Sequence, residues 1–369
     1  MLGVLSLVTF GAAVLLGVAH SLRTSGRLPP LPFFPADHVR AMMERGDYAR
    51  AVQELEVSLR LEGPTPDRLG RLGEALAGLG RHEEAIARYE AAIARRPDAV
   101  RFRLRLIREL SELERFEEVA LQYREILRYR PRDADLHSNL GYALERIGNV
   151  DEALREYERA LTLDPELVPA NYNLGRVRLA RGDARGAIGP LERAARQRDG
   201  IADVHVELAR AYRLAGRRDD SIASYRRALE TAPRRLNLRR ELAGVLIEAG
   251  RSVDAVAELR VVVDGAPDPV ALNNLAWLLA TDARVRAPGD AVALAERAAE
   301  LQPDADSFDT LAAAYAADGR FAAALETADR AAELARAAGR VDAAREILER
   351  RRLYAASKPY LSGAAPSDP

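Results

Sequence analysis

Residues 133–165 read DADLHSNLGYALERIGNVDEALREYERALTLDP, and the rest of the chain follows from this stretch. Gly148 divides it into two apolar-periodic segments, and Pro165 closes it because proline cannot continue a helical hydrogen-bond ladder. Gly141 and Ala153 are small where two helices must approach closely, and Tyr157 is large enough to fill the groove beside them. The spacing then repeats in both directions. Pro97, Pro131 and Pro165 are 34 residues apart, and Pro233 and Pro267 keep the phase after Asp199 fills one slot. Pro303 comes two residues late, which places an insertion within DARVRAPGD, 282–290. Small residues recur twelve before each slot (Ala85, Val119, Ala153, Ala187, Ser221, Ala255, Ala291), and glycine recurs near mid-unit from Gly46 to Gly319.

With these residues in place the chain resembles the tetratricopeptide repeat family, whose 34-residue unit is a helix–turn–helix. The resemblance implies an all-α fold, a right-handed superhelical solenoid, and the apolar run at the start of the chain adds one transmembrane helix before it. A single unit cannot bury its apolar face alone, so stacking is obligatory. About nine units are expected over 36–338, starting near 32, 66, 100, 134, 168, 202, 236, 269 and 305. A capping helix over 339–356 breaks the period, and 357–369 reads as a disordered tail.

Composition excludes several classes. The 369 residues carry 55 basic and 56 acidic side chains, too balanced for a broad phosphate-tracking face, so no nucleic-acid partner is expected. With no cysteine there is no disulfide, thiolate metal site, iron–sulfur cluster or cysteine nucleophile. Of the basic residues only Lys358 is lysine, a coding bias that discounts any pattern built on arginine.

Leu2 to Ala19 are eighteen uncharged residues, about 27 Å of helix and close to the thickness of a bilayer core. No positive charge precedes them and Arg23, Arg27 and Arg40 follow, so residues 1–22 read as an uncleaved anchor with the body on the cytoplasmic side. A cleaved signal peptide, leaving an exported or periplasmic protein, is the competing reading. Four prolines between Pro29 and Pro35 make 23–35 an extended linker.

No catalytic constellation is present, and no cofactor or metal is expected. There is no phosphate-binding glycine loop, no nucleophile elbow, and no pair of His one turn apart on a helix with a carboxylate. His137 and His205, two periods apart, read as a packing position, and His82 as a loop residue after Gly80. The acidic pairs Glu83-Glu84, Glu117-Glu118 and Asp151-Glu152 open second helices, where they favour the helix dipole.

The inner face is assigned by the resemblance to first-helix positions such as the sixth and ninth. The ninth reads Arg108, Tyr142, Arg176, Arg210, a basic run that arginine abundance alone could supply. Asparagine is more informative: five of seven fall at positions four to six of a first helix, among them Asn139 and Asn173. This is similar to the asparagine ladder in the repeat array of O-linked N-acetylglucosamine transferases, where the amides hold the backbone of an extended peptide. An amide both donates and accepts, so it can grip main chain of any sequence; the bland alternative is that these asparagines only support the helix start. Asn139, Asn173, Tyr142, Tyr172, Arg108, Arg176 and Arg210 are therefore the candidate groove residues, with an acidic extended segment as partner. The two-carboxylate clamp of chaperone-binding members is not matched. The expected function is a membrane-anchored scaffold for partner proteins or peptides. A regulatory or substrate-recruiting subunit of a membrane-linked glycosyltransferase or envelope-assembly system is the alternative. The charge order predicts that alkaline phosphatase fused to the C-terminus is inactive in a bacterial host while a fluorescent fusion is bright. Active phosphatase, or a mature N-terminus near His20, would reverse the assignment.

Overall fold

The computed structural model of the chain describes residues 36–197 and 200–362. The proposed anchor and linker lie outside the described residues. Among the described residues no helix is long and apolar enough to cross a membrane. The described chain is an all-α solenoid of nineteen helices with no strand, grouped into two compact bodies that meet in sequence at Ala170 and Asn171.

The helices come in pairs. The first body holds α1 (Ala36–Glu44) with α2 (Tyr48–Glu62), and α3 (Pro66–Gly78) with α4 (His82–Arg95). It continues with α5 (Val100–Glu112) and α6 (Phe116–Leu127), then α7 (Ala134–Arg146) and α8 (Val150–Leu163). Helix α9 (Val168–Ala180) begins at the junction and is followed by α10 (Ala184–Gln197). The second body adds α11 (Ala202–Leu214) with α12 (Arg218–Thr231), α13 (Leu236–Glu248) with α14 (Ser252–Gly265), and α15 (Pro269–Thr281) with α16 (Pro288–Leu301). It ends with α17 (Ala305–Ala317), α18 (Phe321–Ala337) and the single helix α19 (Val341–Ala355).

Local chemistry explains the boundaries. Thr65, Asp133 and Asp268 cap first helices by accepting a backbone N–H three residues on, and Asp304 closes a reciprocal box with Ser307. First helices end where Gly46, Gly80, Gly148, Gly182, Gly216, Gly250 and Gly319 take φ between 69° and 82°. After α5 the same slot is held by Glu114 at φ 54°, a conformation that a side chain disfavours. Helix α10 contains Pro190, which removes the donor for the Gly186 carbonyl; Arg178 takes that carbonyl at 3.0 Å.

Within a pair the small residue is a steric requirement. A Cβ on Gly73 would sit 2.7 Å from the ring of Tyr89, and one on Gly141 would sit 2.7 Å from that of Tyr157. Both rings are fully buried. In the sixth pair Ser221 donates to the Ala209 carbonyl across the helices at 2.7 Å. The insertion is pinned to the preceding pair: Arg284 bonds Asp282 and donates to the Gly250 carbonyl at 2.7 Å, and Ser252 donates to Asp282. These bonds hold the Asp282 carboxyl far below the usual carboxylate range, with Arg284 the largest cause.

One expectation is corrected. Residues 357–362, read as part of a disordered tail, return to the fold, and the Ser362 N–H donates to the Thr281 carbonyl at 2.9 Å. Residues 363–369 of that tail lie outside the described residues.

Two substitutions test these constraints. Glu114→Gly should stabilise the third pair by about 1 kcal/mol, since it relieves a left-handed side-chain conformation and loses only an exposed 3.4 Å contact with Arg146. Gly141→Ala should cost about 1–3 kcal/mol by forcing the Tyr157 ring aside. Hydrogen exchange localised to α5–α8 reads both signs.

Candidate functional site

First helices touch where α3 meets α5 and α15 meets α17, and second helices pack between first helices. Side chains of successive first helices also meet on their free side, Arg105 with Glu74 in the first body and Arg210 with Glu241 in the second, so they share a face within each body. In the first body this face carries Arg108, Asn139 and Tyr142. Asn139 is exposed and has no hydrogen-bond partner among the described residues. Tyr142, one turn along α7, is 43% exposed yet held in place. Its ring meets the edge of Phe116 at 6.3 Å and 85°, and Arg146 donates to its hydroxyl while lying 4.1 Å over Phe116. The amide thus sits beside a fixed aromatic platform. Arg108 donates to Glu109 at 2.9 Å, which raises its pKa. The other oxygen of the buried Glu109 meets His82 Nδ1 at 2.8 Å. His82 is thus the first residue of α4 and not a loop residue.

In the second body Tyr172, Asn173 and Arg176 are half-buried along α9. Burial pushes the Tyr172 hydroxyl up, reinforced by Glu207. Asn171 is buried and accepts from Arg193 at 2.9 Å, so that asparagine braces the helix pair. Arg210 is committed to carboxylates: it makes a two-pronged bond to Glu241 at 2.8 and 3.0 Å and a third to Glu207 at 3.1 Å. Tyr225 donates to the same Glu241 at 2.7 Å. Burial alone would raise the Glu241 carboxyl, but the bonds from Arg210 and Tyr225 hold it below its ordinary range. At Arg108 and Arg210, then, the basic run is matched by the protein's own acids, and an acidic partner would have to exchange with them.

Farther along, α15, α17 and α19 border an open cleft of about 310 Å³ lined by Asn273, Asn274, Trp277, Asp309 and Arg350 among others. The Asn273 Oδ1 is buried without a hydrogen-bond partner. Arg350 bonds Asp309 through two nitrogens at 2.7 and 3.2 Å and lies 5.5 Å from the Trp277 ring centre. A second cleft, about 600 Å³, opens between α6 and α8 in the first body. It is bordered by buried His137, whose ring nitrogens bond Glu156 at 2.6 Å and the Pro131 carbonyl at 3.1 Å, tying the turn between pairs to α8. Among the described residues no cluster of three or more His, Asp or Glu could hold a metal ion.

A tetratricopeptide repeat family model matches residues 36–100, 70–118, 104–168, 147–203, 172–233 and 206–269, together more than half of the chain. The chain belongs to the tetratricopeptide repeat family. Similar solved structures include the MamA protein of Desulfovibrio magneticus RS-1 (21% identity, 44% of this chain and 91% of that one, TM-score 0.40). YrrB, described as a TPR protein with an unusual peptide-binding site, matches at 21% identity over 49% of this chain and 93% of its own (TM-score 0.46). A tetratricopeptide repeat protein of Parabacteroides merdae matches at 14% identity over 77% and 97% (TM-score 0.46). No curated protein matches the chain.

The candidate residues of this TPR chain divide between the bodies: Arg108, Asn139 and Tyr142 in the first, Tyr172, Asn173, Arg176 and Arg210 in the second. Sequence reasoning missed the Glu109–His82 pair and Trp277. The signal for Trp277 was its register, the ninth position of the eighth first helix.

The Arg210 network gives a pH prediction. Because the folded pKa of Glu241 is depressed, its contribution is complete above its ordinary value of 4.5 and is lost as pH falls below that. Glu241→Gln should cost about 1 kcal/mol at pH 7, a modest figure because Arg210 remains partly solvated. It should also flatten the acid-induced loss of hydrogen-exchange protection in α11–α13 between pH 5 and 3.

Proposed function

We propose that this TPR protein is a non-enzymatic scaffold that holds extended segments of partner proteins against the free face of its first helices. The observation that carries the reading is Asn139, an exposed amide with no internal partner, beside the immobilised ring of Tyr142. An amide can bond a passing backbone through both donor and acceptor, and a fixed ring offers area at little entropic cost. In this reading Arg108, Asn139 and Tyr142 serve the first body and Tyr172, Asn173, Arg176 and Arg210 the second, and selection for acidic segments would act through exchange with Glu109, Glu207 and Glu241. Membrane attachment through Leu2–Ala19, with the repeats on the cytoplasmic side, belongs to the same proposal and is supported by the order of charges around that run.

A photo-crosslinking residue placed at Tyr142 in the full-length chain should trap a discrete partner from detergent-solubilised membranes. The same residue at Leu121, exposed on the second helix α6, should not. Asn139→Ala should leave the fold intact and weaken capture about fivefold, the equivalent of one peptide hydrogen bond of about 1 kcal/mol. Equal trapping from both positions would move recognition to the second-helix side.

A further inference from the structure

Helix α19 ends in an unusual turn. The Ser357 N–H donates to the Tyr354 carbonyl at 3.0 Å and the Lys358 N–H to the Leu353 carbonyl at 2.9 Å, the bonding pattern that normally carries glycine at its left-handed position. Here Ser357 holds that position at φ 54°. Pro359 then forbids helix, and the chain runs back with Pro359–Ser362 half-buried.

It returns to the face discussed above. The Tyr360 ring lies 5.8 Å from that of Trp277 at 42°, and the Arg350 guanidinium is 5.5 and 5.7 Å from the two ring centres. Arg350 cannot drift, because Asp309 holds it through two bonds. Two residues on, the Ser362 N–H meets the Thr281 carbonyl at 2.9 Å, one of the terminal carbonyls that α15 cannot satisfy itself, and the two hydroxyls are 3.3 Å apart. Trp277 and Thr281 are one turn apart, at the ninth and thirteenth positions of their first helix. The tail therefore engages this face as an extended ligand does, with one aromatic anchor and one main-chain bond.

The fit is incomplete. The Asn273 Oδ1, one turn before Trp277, stays buried and unbonded, and the 310 Å³ cleft that Trp277 and Arg350 also line remains beside the tail. A buried acceptor without a donor is a standing penalty that a better ligand would remove.

We propose that α15, α17 and α19 form a docking site for an extended partner segment anchored by a tyrosine or phenylalanine, and that Lys358–Ser362 occupies this site in the free chain as an internal ligand to be displaced. This rests on the reading of the first helices as the partner-binding face. The preferred partner places its aromatic ring against Trp277 and Arg350, where Tyr360 lies, and brings an N–H to Asn273, which the tail does not supply. Because the tail is tethered, it competes at an effective concentration in the millimolar range, so weak ligands are excluded.

Trp277 is the only tryptophan, so its fluorescence reports the site directly. In the full chain in detergent, Tyr360→Ala should shift Trp277 emission to the red and at least double its quenching by acrylamide, with helix content and melting temperature preserved. The capped hexapeptide SKPYLS, the sequence of 357–362, should reverse the shift saturably in the variant. It should bind wild type at least tenfold more weakly, and SKPALS should do nothing. Ser362→Pro, which removes the N–H bonded to Thr281 and keeps the ring, should give an intermediate quenching. Unchanged quenching in Tyr360→Ala, early melting of both variants, or no saturable peptide effect would each overturn the proposal. These outcomes are independent of capture at Tyr142: loss of that crosslink with an intact Trp277 response would remove the scaffold reading of the first body alone.

Discussion

The close approach of two helices within each pair is the constraint on which the other features depend. At Gly73 against Tyr89, and Gly141 against Tyr157, a single added methyl group would collide with a ring that has no solvent side into which to retreat. That contact fixes how far apart the helices of a pair lie, and hence how much of the next first helix can wedge between successive second helices. Propensity alone would not hold helices of 12 to 15 residues, which are marginal in water unless an apolar face is buried. The repeat therefore derives its order from steric fit, and the glycines at the turn within each pair and the prolines between pairs only prevent the helices from running on.

Much of this was legible because it recurs. Gly148 and Pro165 are ambiguous alone, but the same types at 34-residue intervals reveal the turn, the groove and the pair boundary together. The groove residues were less legible, because register says which face a side chain occupies and not what it meets there. Asn139 and Asn171 lie within two places of each other in the repeat, yet the first is free at the surface and the second is buried against Arg193. Arg210 looked like a ligand-facing charge because Glu241, its partner, is 31 residues away on the next first helix. The return of the tail to Trp277 had no sequence signal, since the left-handed turn that directs it is made by Ser357 where a glycine would have announced it.

The arginines make sense in the same frame. Many reach a carboxylate about one period away: Arg115 to Glu83 at 2.9 Å, Arg235 to Asp203 at 2.6 Å, Arg340 to Asp306 at 2.7 and 3.0 Å, and Arg101 to Asp67. Exposed pairs of this kind add little stability each, commonly under about 1 kcal/mol. Their effect is on register, because a carboxylate that recurs once per repeat can be met only by a neighbour set at the correct offset. The charge balance near zero is thus internal to the array, and it leaves little of the surface free to attract a partner by net charge.

Where the repeat rule is broken, an arginine or the tail supplies the missing bond. Pro190 frees the Gly186 carbonyl and Arg178 takes it. The insertion after α15 is held by Arg284 on the Gly250 carbonyl, and the end of α15 is met by Ser362. Guanidinium suits the first two cases, since its five donors can bond a carbonyl and a carboxylate at once, as Arg284 does. The third case differs in kind. An arginine on a neighbouring helix is a fixed part of the array, whereas Ser362 is reached through a turn whose left-handed residue, Ser357, has a side chain that disfavours that conformation. A repair of that sort lasts only while no better-bonded chain is at hand, so the end of α15 is where the array can exchange an internal contact for an external one without loss to its core.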